Sequence, residues 1–273
     1  MSAPRLPLLM GVVNVTPDSF SDGGAFLDPG HAIDHGLKLV EEGAAILDIG
    51  GESTRPGADP VSELKELARV LPVIKALAGQ TAAAISIDTR KPLVARVCVE
   101  AGASIWNDVS ALTFSDESIK VAAALDCRLV LMHARGDPKT MQDDPRYDDV
   151  VEEVFGDLAR RIAACEAAGI KRSRLIADPG IGFGKTLDHN LALIAGLGRF
   201  SSLAVPILLG ASRKRFIAAL DRPGGAADRF GGSVAAALAG AARGASIIRV
   251  HDVAATRQAL AVAAAIESTP SGR

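Results

Sequence analysis

EEGAAILDIG, residues 41–50, carries the reading that decides the fold. Its first two residues close a helical stretch, and Gly43 stands where a left-handed cap would end it. AAILDI follows as an apolar run of strand length, and the run stops at a cluster of polar and glycine residues, Gly50–Gly57. The phrase returns as EAGASIW (100–106), EAAGIKRSRLI (166–176) and ARGASIIRV (242–250), with Gly102, Gly169 and Gly244 in the place of Gly43. Helix, glycine and strand repeated in this order predict strands joined through helices, hence a parallel sheet.

Outward from this phrase, eight apolar runs end in polar clusters. The strands they predict are Leu8–Asn14, Ala45–Gly50, Ala83–Asp88, Ser104–Asn107, Arg128–His133, Arg174–Asp178, Val205–Leu209 and Ser246–Val250. Ala/Leu/Glu/Arg-rich stretches between them predict helices over Pro29–Glu42, Pro60–Leu77, Pro92–Ala101, Asp116–Leu125, Tyr147–Ala168, Leu187–Leu197, Ser233–Arg243 and Val253–Ile266. Proline suits a first turn, where its missing N–H is not needed. Eight strand–helix units predict an α/β fold, a single closed (β/α)8 TIM barrel. Only the seventh crossover, Ser212–Ala227, breaks the rhythm, and a short helix, a loop and a longer helix are expected there.

A barrel of this kind takes ~250 residues, so the 273-residue chain is expected to be one domain, 1–273. Thirty Lys+Arg against 32 Asp+Glu leave little net charge, which argues against a nucleic-acid or membrane surface. Cys98, Cys127 and Cys165 are scattered and lack CxxC spacing. Reduced thiols in a cytoplasmic protein are the expectation. Leu6–Val15 reads as the first strand, not a signal segment, because it holds Pro7 and runs into Asn-Val-Thr-Pro-Asp. No apolar stretch is long enough to cross a bilayer without charges.

Chemistry in a barrel sits where strands end. Alternation along a strand gives Arg249 and His251 one direction and sends Val250 the other way. Ser86 and Asp88 likewise point into the mouth, with Ile85 and Ile87 toward the helices. Asp48 reads as an interior, hydrogen-bonded carboxylate. Asp88, Asn107, Asp178 and a lysine at four strand ends are not explained by packing, since an unpaired buried polar group costs ~1–3 kcal/mol. Convergent acid, amide and ammonium groups suit a planar heteroaromatic with N–H edges, which a carboxylate grips as it grips a guanidinium.

Arg55, Ser212, Arg213, Arg249 and His251 lie on strand-end loops and predict an anionic sub-site. The loops after strands seven and eight are the habitual phosphate cradle of a barrel. Asn14 offers a neutral oxygen suited to Mg2+ beside a diphosphate, because substrate oxygens can complete that ion's shell. Gly182-Phe-Gly-Lys185-Thr186 is not a P-loop, since Pro179 stands where the Walker spacing requires glycine.

The phrases MGVVNVTPDSFSDGG (10–24), GGESTRPGA (50–58), SIDT (86–89), NDVS (107–110), LMHARGDPKTMQDDPRY (131–147), DPGIGFGKT (178–186), GASRKRF (210–216) and RVHD (249–252) together resemble the dihydropteroate synthases, a family of pterin-binding barrels. The resemblance covers almost the whole chain. Its small departures, Ile181 and Ala134-Arg135, change no contact type.

The resemblance implies condensation of 6-hydroxymethyl-7,8-dihydropterin diphosphate with 4-aminobenzoate, giving 7,8-dihydropteroate and diphosphate. It implies that Asp88, Asn107, Asp178 and Lys214 hold the pterin, with Val109 and Met132 as apolar neighbours. Arg249, Val250 and His251 would meet the ring and diphosphate, with Thr54 and Arg55 on the second loop and Asn14 as the Mg2+ ligand. Phe20, Pro56, Phe183 and Arg215 would form the 4-aminobenzoate pocket, which sulfonamides also occupy. This chain keeps the Ser-Thr-Arg-Pro-Gly segment that resistant members alter, so sulfonamide sensitivity is expected.

Catalytic weight would fall on Asp22, Arg55, Asp178, Lys214, Arg249 and His251. The aniline nitrogen needs no enzyme base, so His133 is expected to be structural. The loops 14–24 and 51–59 are expected to order over bound diphosphate and build the second pocket. The family also implies a homodimer through the Ala-rich helices 233–243 and 253–266. Rival readings are a methyltetrahydrofolate:corrinoid methyltransferase, which should lack the two diphosphate-closing loops, and a non-catalytic pterin-binding paralogue, which should have lost a key residue.

Overall fold

The cap glycines and apolar runs become eight parallel strands: β1 (Leu8–Asn14), β2 (Ile46–Gly50), β3 (Ala84–Asp88), β4 (Ile105–Asp108), β5 (Arg128–Met132), β6 (Leu175–Asp178), β7 (Leu208–Leu209) and β8 (Ile247–Val250). They are seen in a computed structural model that describes residues 6–16, 29–53, 60–136 and 141–269. The strands neighbour one another in the order β6-β5-β4-β3-β2-β1-β8-β7. Ala177 bridges Ile207 in parallel, and its N–H donates to the Pro206 carbonyl at 3.0 Å, which joins β6 to the strand-seven segment. The ring is therefore closed, a (β/α)8 TIM barrel. Gly43, Gly102, Gly169 and Gly244 all have positive φ, as helix-ending caps require.

Around the strands lie α1 (Pro29–Glu41), α2 (Glu63–Gln80), α3 (Pro92–Glu100), α4 (Ser118–Ala124), α5 (Val150–Ala167), α6 (Leu187–Ala195), α7 (Arg215–Leu220), α8 (Phe230–Ala241) and α9 (Val253–Ser268). Four helix starts differ from the sequence reading: α4 begins at Ser118 instead of Asp116, α8 at Phe230 instead of Ser233, and α2 and α5 each begin three residues late. Pro60 does not open α2, because the Ser62 side chain accepts from Lys65 N at 3.3 Å and sets the N-cap there. Tyr147 does not open α5, because Asp149 caps it, accepting from Val151 N and Glu152 N at 3.0 and 3.1 Å. Strand β7 is shorter than Val205–Leu209, in keeping with a Pro206 that has no N–H for the ladder. The seventh crossover does hold a short helix, a loop and a longer helix.

Strand alternation sorts the side chains into two layers. Met10, Ile46, Ile105, Val130, Ile176, Leu208 and Ile247, with Ala84 against them, form a plug inside the barrel, one residue from each strand. Ile85, Ile87, Trp106, Leu129, Leu131, Ile248 and Val250 pack outward in the larger core with the helices. The plug closes the interior below, so inward polar side chains gather at the carboxyl ends of the strands. The three cysteines are buried and unpaired. No helix of the described residues is long and apolar enough to cross a membrane.

Candidate active site

At that rim, Asp48 of β2 is fully buried and accepts from three strands. Ser86 Oγ of β3 donates to its Oδ1 at 2.6 Å, and Asn107 Nδ2 of β4 donates to its Oδ2 at 3.1 Å. Arg249 Nε of β8 donates to the same Oδ2 at 2.6 Å. The guanidinium then turns a second donor, Nη2, to Asp88 Oδ2 at 2.8 Å. Asp88 Oδ1 is sealed from solvent without a partner among the described residues, an orphan acceptor at the mouth. Gly210, after β7, lies between Arg249 and Asp178: a Cβ there would sit 3.8 Å from Arg249 Cβ and 3.9 Å from Asp178 Oδ2.

The segment after β6 is held at successive backbone groups. Asp178 Oδ1 accepts from Gly180 N at 2.7 Å. Gln142 Nε2 donates to Gly182 O at 2.6 Å, Lys185 Nζ to Phe183 O at 2.9 Å, and Tyr147 Oη to Gly184 O at 2.9 Å. Gly180 has φ +68°, and a Cβ there would fall 1.8 Å from the His133 carbonyl oxygen, so no other residue fits. Lys214, the N-cap of α7, donates to Ile181 O and holds its ammonium 4.6 Å from the Phe183 ring centre.

Burial in this cluster moves its titrations toward neutrality. Burial, then the Asp48 carboxylate, push Asp88 up to about 7 against the pull of Arg249. Burial raises Asp178 as well, with Lys214 opposing. Lys214 is lowered to about 8, chiefly by burial, with Asp178 opposing. For Arg249 burial works against the charge, but Asp48 and Asp88 prevail and its pKa is raised.

Behind Phe183, burial and then Lys214 bring Lys185 down to about 7. Burial and then Lys185 hold His133 near 4, so its ring is neutral at pH 7. Its Nδ1 accepts from Lys185 at 2.9 Å, which leaves Nε2–H to donate to Asp157 at 3.1 Å. This arrangement fixes His133 as a support for the loop.

Ser212 and His251 meet on the anionic side, Oγ to Nδ1 at 3.0 Å. Arg213 gives two donors to Asp252, at 3.1 and 2.6 Å. Its charge is thus partly matched within the fold, with Nη1 left out of that pairing. Asn14 ends β1 beside Gly50, which in turn pairs with Asp88. Among the described residues no three His, Cys, Asp or Glu side chains cluster as a metal cage. One neutral, half-buried amide oxygen fits an ion whose other ligands come from substrate and water.

Comparison with known proteins shows the family of the chain. Residues 10–251 match the family model described as pterin binding enzyme. The chain is 46% identical over 267 residues to dihydropteroate synthase of Escherichia coli K12, covering 98% of this chain and 93% of that one. The chain belongs to the dihydropteroate synthase family. Among solved structures, Xanthomonas albilineans dihydropteroate synthase with 4-aminobenzoic acid superposes with a TM-score of 0.91 at 50% identity, covering 98% of this chain and 100% of that one. The Yersinia pestis dihydropteroate synthase in complex with a sulfonamide drug gives a TM-score of 0.91 at 43% identity, covering 97% and 95%. Membership makes this chain a transferase.

Of the residues that the dihydropteroate synthase resemblance picked out, Asp88, Asn107, Asp178, Lys214 and Arg249 stand around one rim. Met132 ends β5 opposite Asp178, and Val109 is half-buried just after β4. Val250 does not present its side chain there. It packs in the outer core, because alternation turns it away between Arg249 and His251. Phe183 is half-buried beside Lys214, and Arg215 is exposed at the start of α7. Phe20, Asp22, Thr54, Arg55 and Pro56 lie outside the described residues.

The sequence reading gave Lys185 no role beyond the rejected P-loop, although it is the buried pin of the β6–α6 loop. It also missed the root of the second loop. Lys91 links Glu52 to the buried Glu66, and Arg69 donates to Gly51 O at 2.7 Å. Buried charges preceding helices were the available signal in both cases.

Proposed function

We propose that the chain joins 6-hydroxymethyl-7,8-dihydropterin diphosphate to 4-aminobenzoate, forming 7,8-dihydropteroate and diphosphate. The observation that carries this reading is the meeting of two carboxylates, an amide, an ammonium and a guanidinium at one rim. Asp178 and Asp88 accept ring N–H groups and offset positive charge on the dihydropterin as the exocyclic C–O bond breaks. Lys214 donates toward the ring carbonyl region. Arg249, the Ser212–His251 pair and Arg55 receive charge gathering on the departing diphosphate. Asn14 would hold Mg2+, which when bound offsets diphosphate charge, with Asp22 a further candidate ligand or a support for the nascent cation. The aniline nitrogen of 4-aminobenzoate attacks the exocyclic carbon and later loses its proton to solvent. Sulfonamides compete in that pocket. The test is diphosphate release in the presence of both substrates and Mg2+. Release that needs both supports the proposal, and absence of release favours a non-catalytic or corrinoid-dependent relative.

Pterin affinity is expected to be bell-shaped in pH. Asp88 offers two acceptor oxygens and a negative charge only as a carboxylate, so binding weakens as pH falls below about 7. Lys214 donates best as an ammonium, so binding weakens as pH rises above about 8. Calorimetric titration checks both limbs, and Asp88→Asn should flatten the acid one.

Ordered binding is proposed from the polar, glycine-rich sequences of loops 14–24 and 51–59, which are expected to close over bound diphosphate, so that 4-aminobenzoate is held weakly until diphosphate and Mg2+ are present. Tight calorimetric binding to the enzyme alone would refute it.

The homodimer is proposed on α8 and α9. A groove of about 550 Å3 between them is lined by Phe230, Val234, Leu238, Val262 and Ile266. Phe230, Val262 and Ile266 are 46%, 54% and 70% exposed, an apolar face suited to a second copy. Sedimentation should give two subunits at micromolar concentration, and one subunit would contradict this. Burial of all three free cysteines supports a cytoplasmic setting.

A further inference from the structure

Asn107 is the rim residue whose chemistry depends on which way it is turned, because its amide has a donor end and an acceptor end. Nδ2 donates to Asp48 Oδ2 at 3.1 Å. Turned round, the amide oxygen would face a carboxylate oxygen at that distance, with no proton between them. Asp48 is itself fixed as the acceptor, by Ser86 Oγ at 2.6 Å on Oδ1 and by Arg249 Nε at 2.6 Å on Oδ2. It pairs with Ser86 one pleat below the Gly50–Asp88 level and is fully buried. Asn107 Oδ1 takes no hydrogen bond from any described residue, and it is not among the atoms sealed without a partner.

We propose that Asp48 is a specificity-determining positioning residue that fixes the amide of Asn107 with its oxygen toward the mouth. The rim then offers three acceptors, Asn107 Oδ1 with the Asp88 and Asp178 carboxylates, to the edge of the bound ring. That set selects a heterocycle whose edge carries N–H donors. It rejects the same ring with a carbonyl in place of the amino group, because acceptor would then meet acceptor in a buried site. The inference rests on the pterin reading given above and assigns the source of its ring-edge selectivity.

The test compares the affinities of 2-amino-4-oxopteridine and 2,4-dioxopteridine for the wild type, Asp48→Ala and Asn107→Ala, with thermal melts to confirm folding. The wild type should prefer the amino compound. In Asp48→Ala no carboxylate accepts from Nδ2, so Asn107 can turn. The preference should shrink by about tenfold or more, corresponding to ~1.4 kcal/mol, with the dioxo compound gaining. Asn107→Ala removes the acceptor without touching the Asp48–Arg249 bond and should also shrink the preference. A merely structural role for Asp48 would lower both affinities together and leave their ratio unchanged, and that result overturns the inference. Should Asp48→Ala fail to fold, Asn107→Ala decides alone, and an unchanged or larger preference overturns it. Wild-type enzyme that bound neither compound would instead sink the pterin reading, and this inference with it.

Discussion

Asp178→Ala is expected to abolish measurable pterin binding, with affinity falling by at least about 100-fold. Asp178 is 5% exposed at the end of β6 and is flanked by Lys214 and Arg249. Hydrogen bonds to a charged group contribute ~1.5–3 kcal/mol each, and a carboxylate holding two ring N–H groups loses both together. The substitution also leaves Lys214 beside Arg249 without its main counter-charge, so the Lys214 pKa should fall below about 8 and draw the alkaline limb of binding down with it. Gly180 N loses its 2.7 Å acceptor in the alanine variant. Asp178→Asn keeps that bond while removing the charge, and should fall between wild type and alanine. Calorimetry with a dihydropterin reads all three proteins. Unchanged affinity in Asp178→Ala would mean the pocket is elsewhere.

Arg249→Ala should damage both turnover and stability. Asp48 and Asp88 are held apart electrostatically by the guanidinium that binds each, at 2.6 and 2.8 Å. Breaking a buried pair by removing one partner costs ~3–5 kcal/mol. Arg249 is 22% exposed, which favours the lower figure. In a chain of this size ~3 kcal/mol lowers Tm by about 6–12 °C. The loss should diminish toward acid pH. Without the pull of Arg249 the Asp88 pKa rises above about 7, so the variant takes up that proton first, and the gap between wild type and variant should narrow as pH falls toward about 7 and level off below it. Turnover should drop by about 10²–10³-fold from loss of a preorganised donor to the departing diphosphate. Arg249→Lys restores charge but not both bonds, and should recover stability more than activity. Thermal melts at two pH values and steady-state rates check these outcomes.

Much of this architecture was legible because the relevant signals are local. Gly43, Gly102, Gly169 and Gly244 mark helix ends a few residues before each strand, and all four adopt the positive φ that such caps need. Ile85 and Ile87 against Ser86 and Asp88 show which face of β3 is inward, since alternation is a property of the strand itself. Helix starts were less legible. Pro60 and Tyr147 only permit a helix to begin, whereas the Ser62 and Asp149 side chains fix where it does. What the sequence hid is long-range. Asp48 and Arg249 bond across 201 positions, and Lys185 and His133 across 52. Arg213 pairs with Asp252, 39 residues later, through two of its donors. No spacing rule reports such partners, because they meet only when the barrel closes.

In the proposed function one barrel rim grips the pterin ring between carboxylates, an amide and an ammonium. A crystal structure with a bound 2-amino-4-oxopteridine would show the grip itself. Ring density is expected at the carboxyl ends of β3, β4 and β6, with Asp178 and Asn107 Oδ1 within hydrogen-bonding distance of ring N–H groups and Lys214 near the ring carbonyl. A ring bound away from that rim, or one meeting Asn107 through Nδ2, would contradict it.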